Sequence, residues 1–188
     1  ISVHRLLNGD FQLLYRVAGK GTAILSRRRP GDVLEILGPL GNGFPVNKKS
    51  ENIILVAGGL GIAPIFALAE SLIPPPPPLQ KGEIQKGNPM LFYGARTKEE
   101  LLCTVKLKSI GIDPVISTDD GTLGKKGNIV NVLKEYLSRH LSLVTDHVLY
   151  ACGPEPMLKA LSELAMKKNM QGYIALEQHM ACGLGTCL

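Results

Sequence analysis

Cys182 and Cys187, with Gly-Leu-Gly-Thr between them, have the C-x4-C spacing of a plant-type [2Fe–2S] loop. In such a loop the thiolates hold iron, and small intervening residues let backbone amides approach the sulfurs. The same pair also reads as half of a zinc site or as a turn with two thiols. The iron pattern needs a third cysteine three residues after Cys187 and a fourth farther on, and both would fall past Leu188. The expectation is therefore no complete cluster on these residues.

A second chemistry lies in the stretch GGLGIAP, Gly58 to Pro64. It follows a strand-like run and opens a helix-like one, so its amides and the helix dipole would face a dinucleotide pyrophosphate, with Gly58, Gly59 and Gly61 permitting close approach. Pro64 stands where the usual fingerprint has its third glycine, which the first turn of a helix tolerates. A plain tight turn explains the stretch equally well. Three more segments end strands in the same way: YGAR, ending at Arg96; STDDG, containing Asp119; and ACGPEPM, containing Cys152 and Gly153. Ligands of an open parallel sheet bind beyond the carboxyl ends of its strands, so the four tips together make a candidate nicotinamide edge. Arg96 beside the adenosine ribose would suit NADP, and the residues do not decide between NAD and NADP. Upstream, GKGT offers the Thr22 hydroxyl and nearby amides to a second phosphate, against the alternative of a hairpin turn. LLYRV offers Tyr15 as a surface for a ring system and Arg16 as a phosphate partner.

These residues need elements to hold them. Residues 1–49 read as short strands, FQLLYRV and VLEILG among them, separated by glycine-rich turns, and predict part of a β-barrel too short to close alone. Earlier strands are expected outside the 188 residues. From 50 to 176 strands and helices alternate, predicting a doubly wound parallel sheet of five strands and four helices. The strands are NIILVAGG, PMLFYGA, DPVIST, DHVLYACG and GYIALEQ; the helices are APIFALAESLI, KEELLCTVKLKSIG, NIVNVLKEYLSRHL and EPMLKALSELAMKKN. The five prolines at 74–78 predict an extended spacer. Residues 177–188 are expected to be the start of a cluster loop, if the cysteine pair is read as iron ligands.

Composition narrows the function classes. A chain 45% hydrophobic and 20% charged can build a core. The net charge of +5 is scattered, and Arg27-Arg28-Arg29 is the densest basic run, which argues against nucleic acid and for phosphate-bearing cofactors or an acidic partner. No apolar run approaches a membrane span, so a soluble cytoplasmic protein is expected.

Taken in order, the segments ISV, LLYRVAGKGT, GDVLEILGPLGNGF, ILVAGGLGIAP, YGAR, DDGTLGKKG, YACGPEPML and EQHMACGLGTCL resemble the ferredoxin-reductase-like electron transfer subunits of dihydroorotate dehydrogenase (NAD+) along the whole chain. The resemblance implies FAD, NAD and a [2Fe–2S] cluster as cofactors. Ile1 and Ser2 would contact the flavin, Leu14, Tyr15 and Arg16 its ring and ribityl region, and Gly21 and Thr22 its pyrophosphate. Cys182 and Cys187 would be the first two of four cluster ligands. It also implies an FMN-containing catalytic partner, assembled two plus two. Electrons would then run from dihydroorotate through FMN, cluster and FAD to NAD+ in pyrimidine biosynthesis, with no side chain of this chain acting as acid or base. The Arg-Pro that precedes Ile-Ser in that family is absent here. Two alternatives stay open: the reductase subunit of a sulfhydrogenase or an NADH:ferredoxin oxidoreductase, and a non-catalytic nucleotide-binding or metal-sensing module.

Overall fold

The computed structural model describes residues 1–46, 52–73, 89–140 and 147–176, without the side chain of His140. The first stretch opens with an antiparallel hairpin of β1 (Val3–Leu7) and β2 (Asp10–Leu13). Its two-residue turn, Asn8-Gly9, has φ of 44° and 98°, the double left-handed geometry that matches strand twist. A short helix, α1 (Lys20–Leu25), follows.

Two expectations for this stretch are corrected. GKGT is the first turn of α1 rather than a hairpin turn. VLEILG joins no ladder: residues 33–38 are irregular, and Val33, Ile36 and Leu37 are exposed. Apolar alternation makes a strand only where a neighbour takes up its N–H and C=O groups, and among the described residues none lies alongside.

The remainder is a parallel α/β sheet. Its elements are β3 (Asn52–Gly58), α2 (Ile62–Leu72), β4 (Met90–Ala95), α3 (Thr104–Ser109), β5 (Val115–Thr118), β6 (Lys125–Lys126), α4 (Ile129–His140), β7 (His147–Cys152), α5 (Glu155–Lys167) and β8 (Gln171–Ala175). The strand order is β6-β5-β4-β3-β7-β8, parallel throughout. The sheet thus has six strands where five were expected. The extra one is two lysines, brought beside Ser117 and Thr118 by the turn through Gly124, and so short a polar segment has no period to recognise. The helix expected over KEELLCTVKLKSIG is broken as well. Lys98–Glu100 is a single 3-10 turn, Cys103 sits at φ 62°, and α3 starts only at Thr104.

Alternation along β3 explains the double layer. Ile54 and Val56 point to one face, where they meet Leu133 and Leu137 of α4 and Leu158 and Leu161 of α5. Ile53, Leu55 and Ala57 point to the other, against Ile62, Ile65 and Phe66 of α2 and Leu107 of α3. Burying one such Ile or Leu contributes about 1.5–3 kcal/mol, so the two cores dominate the stability of the sheet. Helix ends follow local chemistry. Ile73, the residue after α2, is extended at ψ 115°, as the following Pro74 requires. α5 has Pro156 in its first turn, with Glu155 at its start and Lys167 at its end, matching the helix dipole.

Residues 1–46 dock on this sheet through a few contacts. Arg5 Nε donates to both carboxylate oxygens of Glu70, at 3.1 and 3.2 Å, and Nη2 donates to Oε1. The His4 ring lies 4.6 Å from that of Phe66. Tyr150 donates to the Pro45 carbonyl at 2.9 Å, with Phe44 edge-on to its ring. Among the described residues no helix is long and apolar enough to cross a membrane.

Candidate functional site

In the order β5-β4-β3-β7-β8, consecutive strands β3, β4 and β5 progress one way and β7 and β8 the other. The direction of winding therefore reverses between β3 and β7, and a crevice opens beyond their carboxyl ends. Glycines let the two tips touch there. A Cβ on Gly61 would fall inside the Cys152 carbonyl and 2.7 Å from the Gly153 nitrogen. A Cβ on Gly58 would lie 2.7 Å from Met157 Sδ and from Pro154 Cδ, and one on Gly153 would lie 3.0 Å from the Gly58 backbone. The motif thus works by backbone-on-backbone packing, and Gly59 adds the turn itself at φ 51°. Gly58, Gly59, Gly61, Cys152 and Gly153, separated by some ninety positions, form one constellation. The Ile62 N–H closes the turn on the Gly59 carbonyl, and the amides of a helix start that lack such an acceptor suit the anionic bridge of a dinucleotide.

Tyr15 and Arg16 come to the same end of the sheet. They line a cleft of about 220 Å³ with Leu60, Glu99, Glu100 and Leu102. Arg16 Nη2 lies 3.9 Å from Glu100 Oε1, a loose pair with the guanidinium still open to a phosphate or ring edge. A flat ring system laid against Tyr15 would therefore sit beside the turn that follows β3. Leu14 is half-buried against the core that includes Ile62, Ile65 and Phe66 of α2. Ile1 and Ser2 sit at the open start of β1, outside this cleft, and Ile1 is exposed.

Gly21 and Thr22 lie in α1, where the threonine hydroxyl is engaged within its own loop. Thr22 Oγ1 accepts from the amides of Ala18 at 2.9 Å and Gly19 at 3.1 Å, and donates to the Gly19 carbonyl. Its hydroxyl thus shapes the loop, and the donors left for a phosphate are the backbone amides of the helix start. A Cβ added to Gly21 would meet nothing within 4 Å, so that face is open.

Arg96 and Asp119 are exposed at the tips of β4 and β5. Their backbones are tied together, with Asp119 N–H donating to the Ala95 carbonyl at 3.0 Å and Asp120 N–H to that of Arg96 at 3.2 Å. The neighbouring Asp120 is the braced carboxylate. Thr122 donates to it from both its amide and its hydroxyl, which holds its pKa below the usual value. Thr118 steadies the same loop by donating to the Leu123 carbonyl at 2.9 Å.

Sequence reasoning overlooked Leu60, Glu100 and Leu102 as cleft walls and Met157 as the side chain against Gly58. It also overlooked Tyr93, which sits inside the quoted YGAR motif but was not singled out. Only the third-dimensional crossing of chain segments reveals them. Cys182 and Cys187 lie outside the described residues, and among the described residues no three His, Cys, Asp or Glu side chains gather as metal ligands.

The geometry matches known proteins. Residues 55–163 match the family described as Oxidoreductase NAD-binding domain. The chain is 36% identical over 190 residues to the dihydroorotate dehydrogenase B (NAD(+)) electron transfer subunit of Desulforamulus reducens. It is 39% identical over 187 residues to that of Caldanaerobacter subterraneus subsp. tengcongensis. Each alignment covers all of this chain and 67% of the relative, so the chain spans about two thirds of their length. Among solved structures, the NADH-dependent reduced ferredoxin-NADP oxidoreductase superposes with a TM-score of 0.73 at 28% identity, over 94% of this chain and 59% of that one. The ferredoxin reductase of carbazole 1,9a-dioxygenase, at 20% identity and TM-score 0.64, over 92% of this chain and 53% of that one, shares the fold. A glycine-packed crevice on a reductase-type parallel sheet, matched along its whole length by the same kind of subunit, makes this chain a member of the dihydroorotate dehydrogenase B (NAD(+)) electron transfer subunit family.

Proposed function

We propose that this chain forms the nicotinamide side and part of the flavin side of such a subunit. In this reading it passes electrons that originate in dihydroorotate, at a separate FMN-containing catalytic partner, to NAD+ for pyrimidine synthesis. A bound FAD supplies the exchange between hydride and single electrons, and a [2Fe–2S] cluster supplies the one-electron step. The chain's own residues bind and orient. Gly58, Gly59, Gly61, Cys152 and Gly153 hold the dinucleotide across the crevice, and Arg96 and Asp119 take its adenosine end. Ile1, Ser2, Leu14, Tyr15, Arg16, Gly21 and Thr22 serve the flavin, and Cys182 and Cys187 are two of the cluster thiolates. We divide the chain into a flavin-barrel part (1–49), a nucleotide domain (50–176) and a cluster loop (177–188), and assign it to a cytoplasmic assembly of two plus two subunits with its partner.

The observation that supports this most is the placement of Tyr15 and Arg16 on one cleft with Leu60, next to the Gly61–Cys152 contact. It gives a ring bound on the barrel side and a nicotinamide bound on the sheet side a common edge. The NADH:ferredoxin reductase reading draws on the likeness to the ferredoxin-NADP oxidoreductase, while the whole-length curated relatives favour the dihydroorotate reading. The test is anaerobic purification with the candidate FMN partner. Flavin and cluster absorption, bleached by NADH and also by dihydroorotate only when the partner is present, is the expected result. A protein with no flavin bands, or one reduced by ferredoxin and indifferent to dihydroorotate, would overturn it.

A further inference from the structure

Tyr93, near the end of β4, is fully buried, and its hydroxyl bonds to the backbone of segments that line the cleft. It accepts the Leu102 N–H at 2.9 Å. Its own proton goes to the Gly59 carbonyl at 3.1 Å, with the Glu100 carbonyl a longer alternative at 3.4 Å. Two of the partners, Glu100 and Leu102, line the cleft directly, and the third, Gly59, precedes Leu60, which also lines it. One phenol therefore joins the turn after β3 to the turn after β4. Burial pushes its ionisation far above the usual range, so the hydroxyl stays a donor at physiological pH.

The bond to Gly59 has a directional consequence. Gly59 is left-handed at φ 51° and begins the 3-10 turn Gly59–Gly61 that leads into α2. Across a trans peptide the carbonyl and the following N–H point to opposite sides. The Gly59 carbonyl accepts both the Tyr93 hydroxyl and the Ile62 N–H that closes the 3-10 turn, so the Leu60 N–H across the same peptide faces away from these two partners, and a helix-start amide there has no intrahelical acceptor. We infer that Tyr93 is a positioning residue for the nicotinamide dinucleotide: its hydroxyl fixes the Gly59–Leu60 peptide so that the Leu60 amide is presented to the bound cofactor, and its bond to Leu102 sets the width of the cleft. This rests on the dinucleotide reading above.

The experiment compares the flavin-loaded parent with Tyr93→Phe and, as a control, Tyr136→Phe. Tyr136 places its hydroxyl 3.1 Å from Met90 Sδ and packs on the opposite face of the sheet. Calorimetric titration with NAD+ should show affinity lowered roughly five- to tenfold in Tyr93→Phe, the scale of one net hydrogen bond. KM for NADH should rise by the same factor with kcat within about twofold, while Tyr136→Phe should bind NAD+ like the parent. In the parent, NAD+ should slow hydrogen exchange at the Leu60 amide. Unchanged affinity in Tyr93→Phe, equal weakening in both variants, or an indifferent Leu60 amide would each overturn the inference. A parent that binds no NAD+ would instead overturn the dinucleotide reading itself.

Discussion

Residues 1–46 and the sheet from Asn52 onward are held together in opposite ways. In the first region only His4 is buried, and a run of apolar side chains from Val33 to Leu40 faces solvent. The second has a continuous core on each face of the sheet. The first region accordingly owes its order to being docked, through Arg5 on Glu70, His4 on Phe66, and Phe44 and Pro45 on Tyr150. We expect the second, with its own cores, to keep its shape without the first. On the proposed function, cofactor geometry would depend on the weaker partner, since Tyr15 and Arg16 belong to the docked region and the glycine crevice to the sheet.

The strongest challenge to that contrast is Gly61→Ala. The added methyl has no room against the Cys152 carbonyl, so either the β3 and β7 tips separate or the sheet shifts. The expected loss is about 2–4 kcal/mol, in the range of severe overpacking. Urea unfolding followed by far-UV circular dichroism measures it, and a loss under about 0.5 kcal/mol would mean the tips are not in rigid contact.

A smaller effect tests the docking. Arg5→Ala removes a two-pronged, partly buried ion pair and should weaken attachment of β1 by about 1–2 kcal/mol. Hydrogen exchange should speed up across Val3–Leu13 and stay unchanged in β3 and β7. Equal acceleration in both would show that the two regions unfold as one unit.

The smallest effect depends on pH. Burial lowers the pKa of His4 below 6.5, so its neutral form is the folded one. The unfolded chain then takes up a proton more readily. His4 thus favours folding fully above pH 6.5, and that contribution fades as the pH falls below 6.5 toward the folded-state value. Melting temperatures between pH 7.5 and 5.0 should fall less steeply for His4→Phe than for the parent, and parallel slopes would rule His4 out as a source of acid lability.

Most of the sheet was legible because its strands are buried on both faces and end in glycine turns; the four strand tips could be placed on one edge from sequence alone. The crossing between β3 and β7 was not legible, since nothing local tells a strand which neighbour it will join. VLEILG misled because its alternation is genuine while its ladder is missing among the described residues. The break at Cys103 misled because the left-handed residue is a cysteine, whose type gives no turn signal, and because Leu101 and Leu107 keep an apolar rhythm across it. The sequence marks Thr22 as a hydrogen-bonding residue but not its partners, and in the structure its hydroxyl bonds within its own loop.

Tyr150 stacks on Tyr173 at 5.4 Å, meets Phe44 edge-on and donates to Pro45, so it sits where the two regions touch. The chain has no tryptophan, and its ultraviolet emission therefore comes from five tyrosines alone. Undocking the first region would strip Tyr150 of its carbonyl acceptor and one aromatic neighbour while leaving the sheet intact. The chain thus contains an optical gauge of its own assembly, readable without a label, in which a change in tyrosine fluorescence at constant circular dichroism marks separation of residues 1–46 from the sheet.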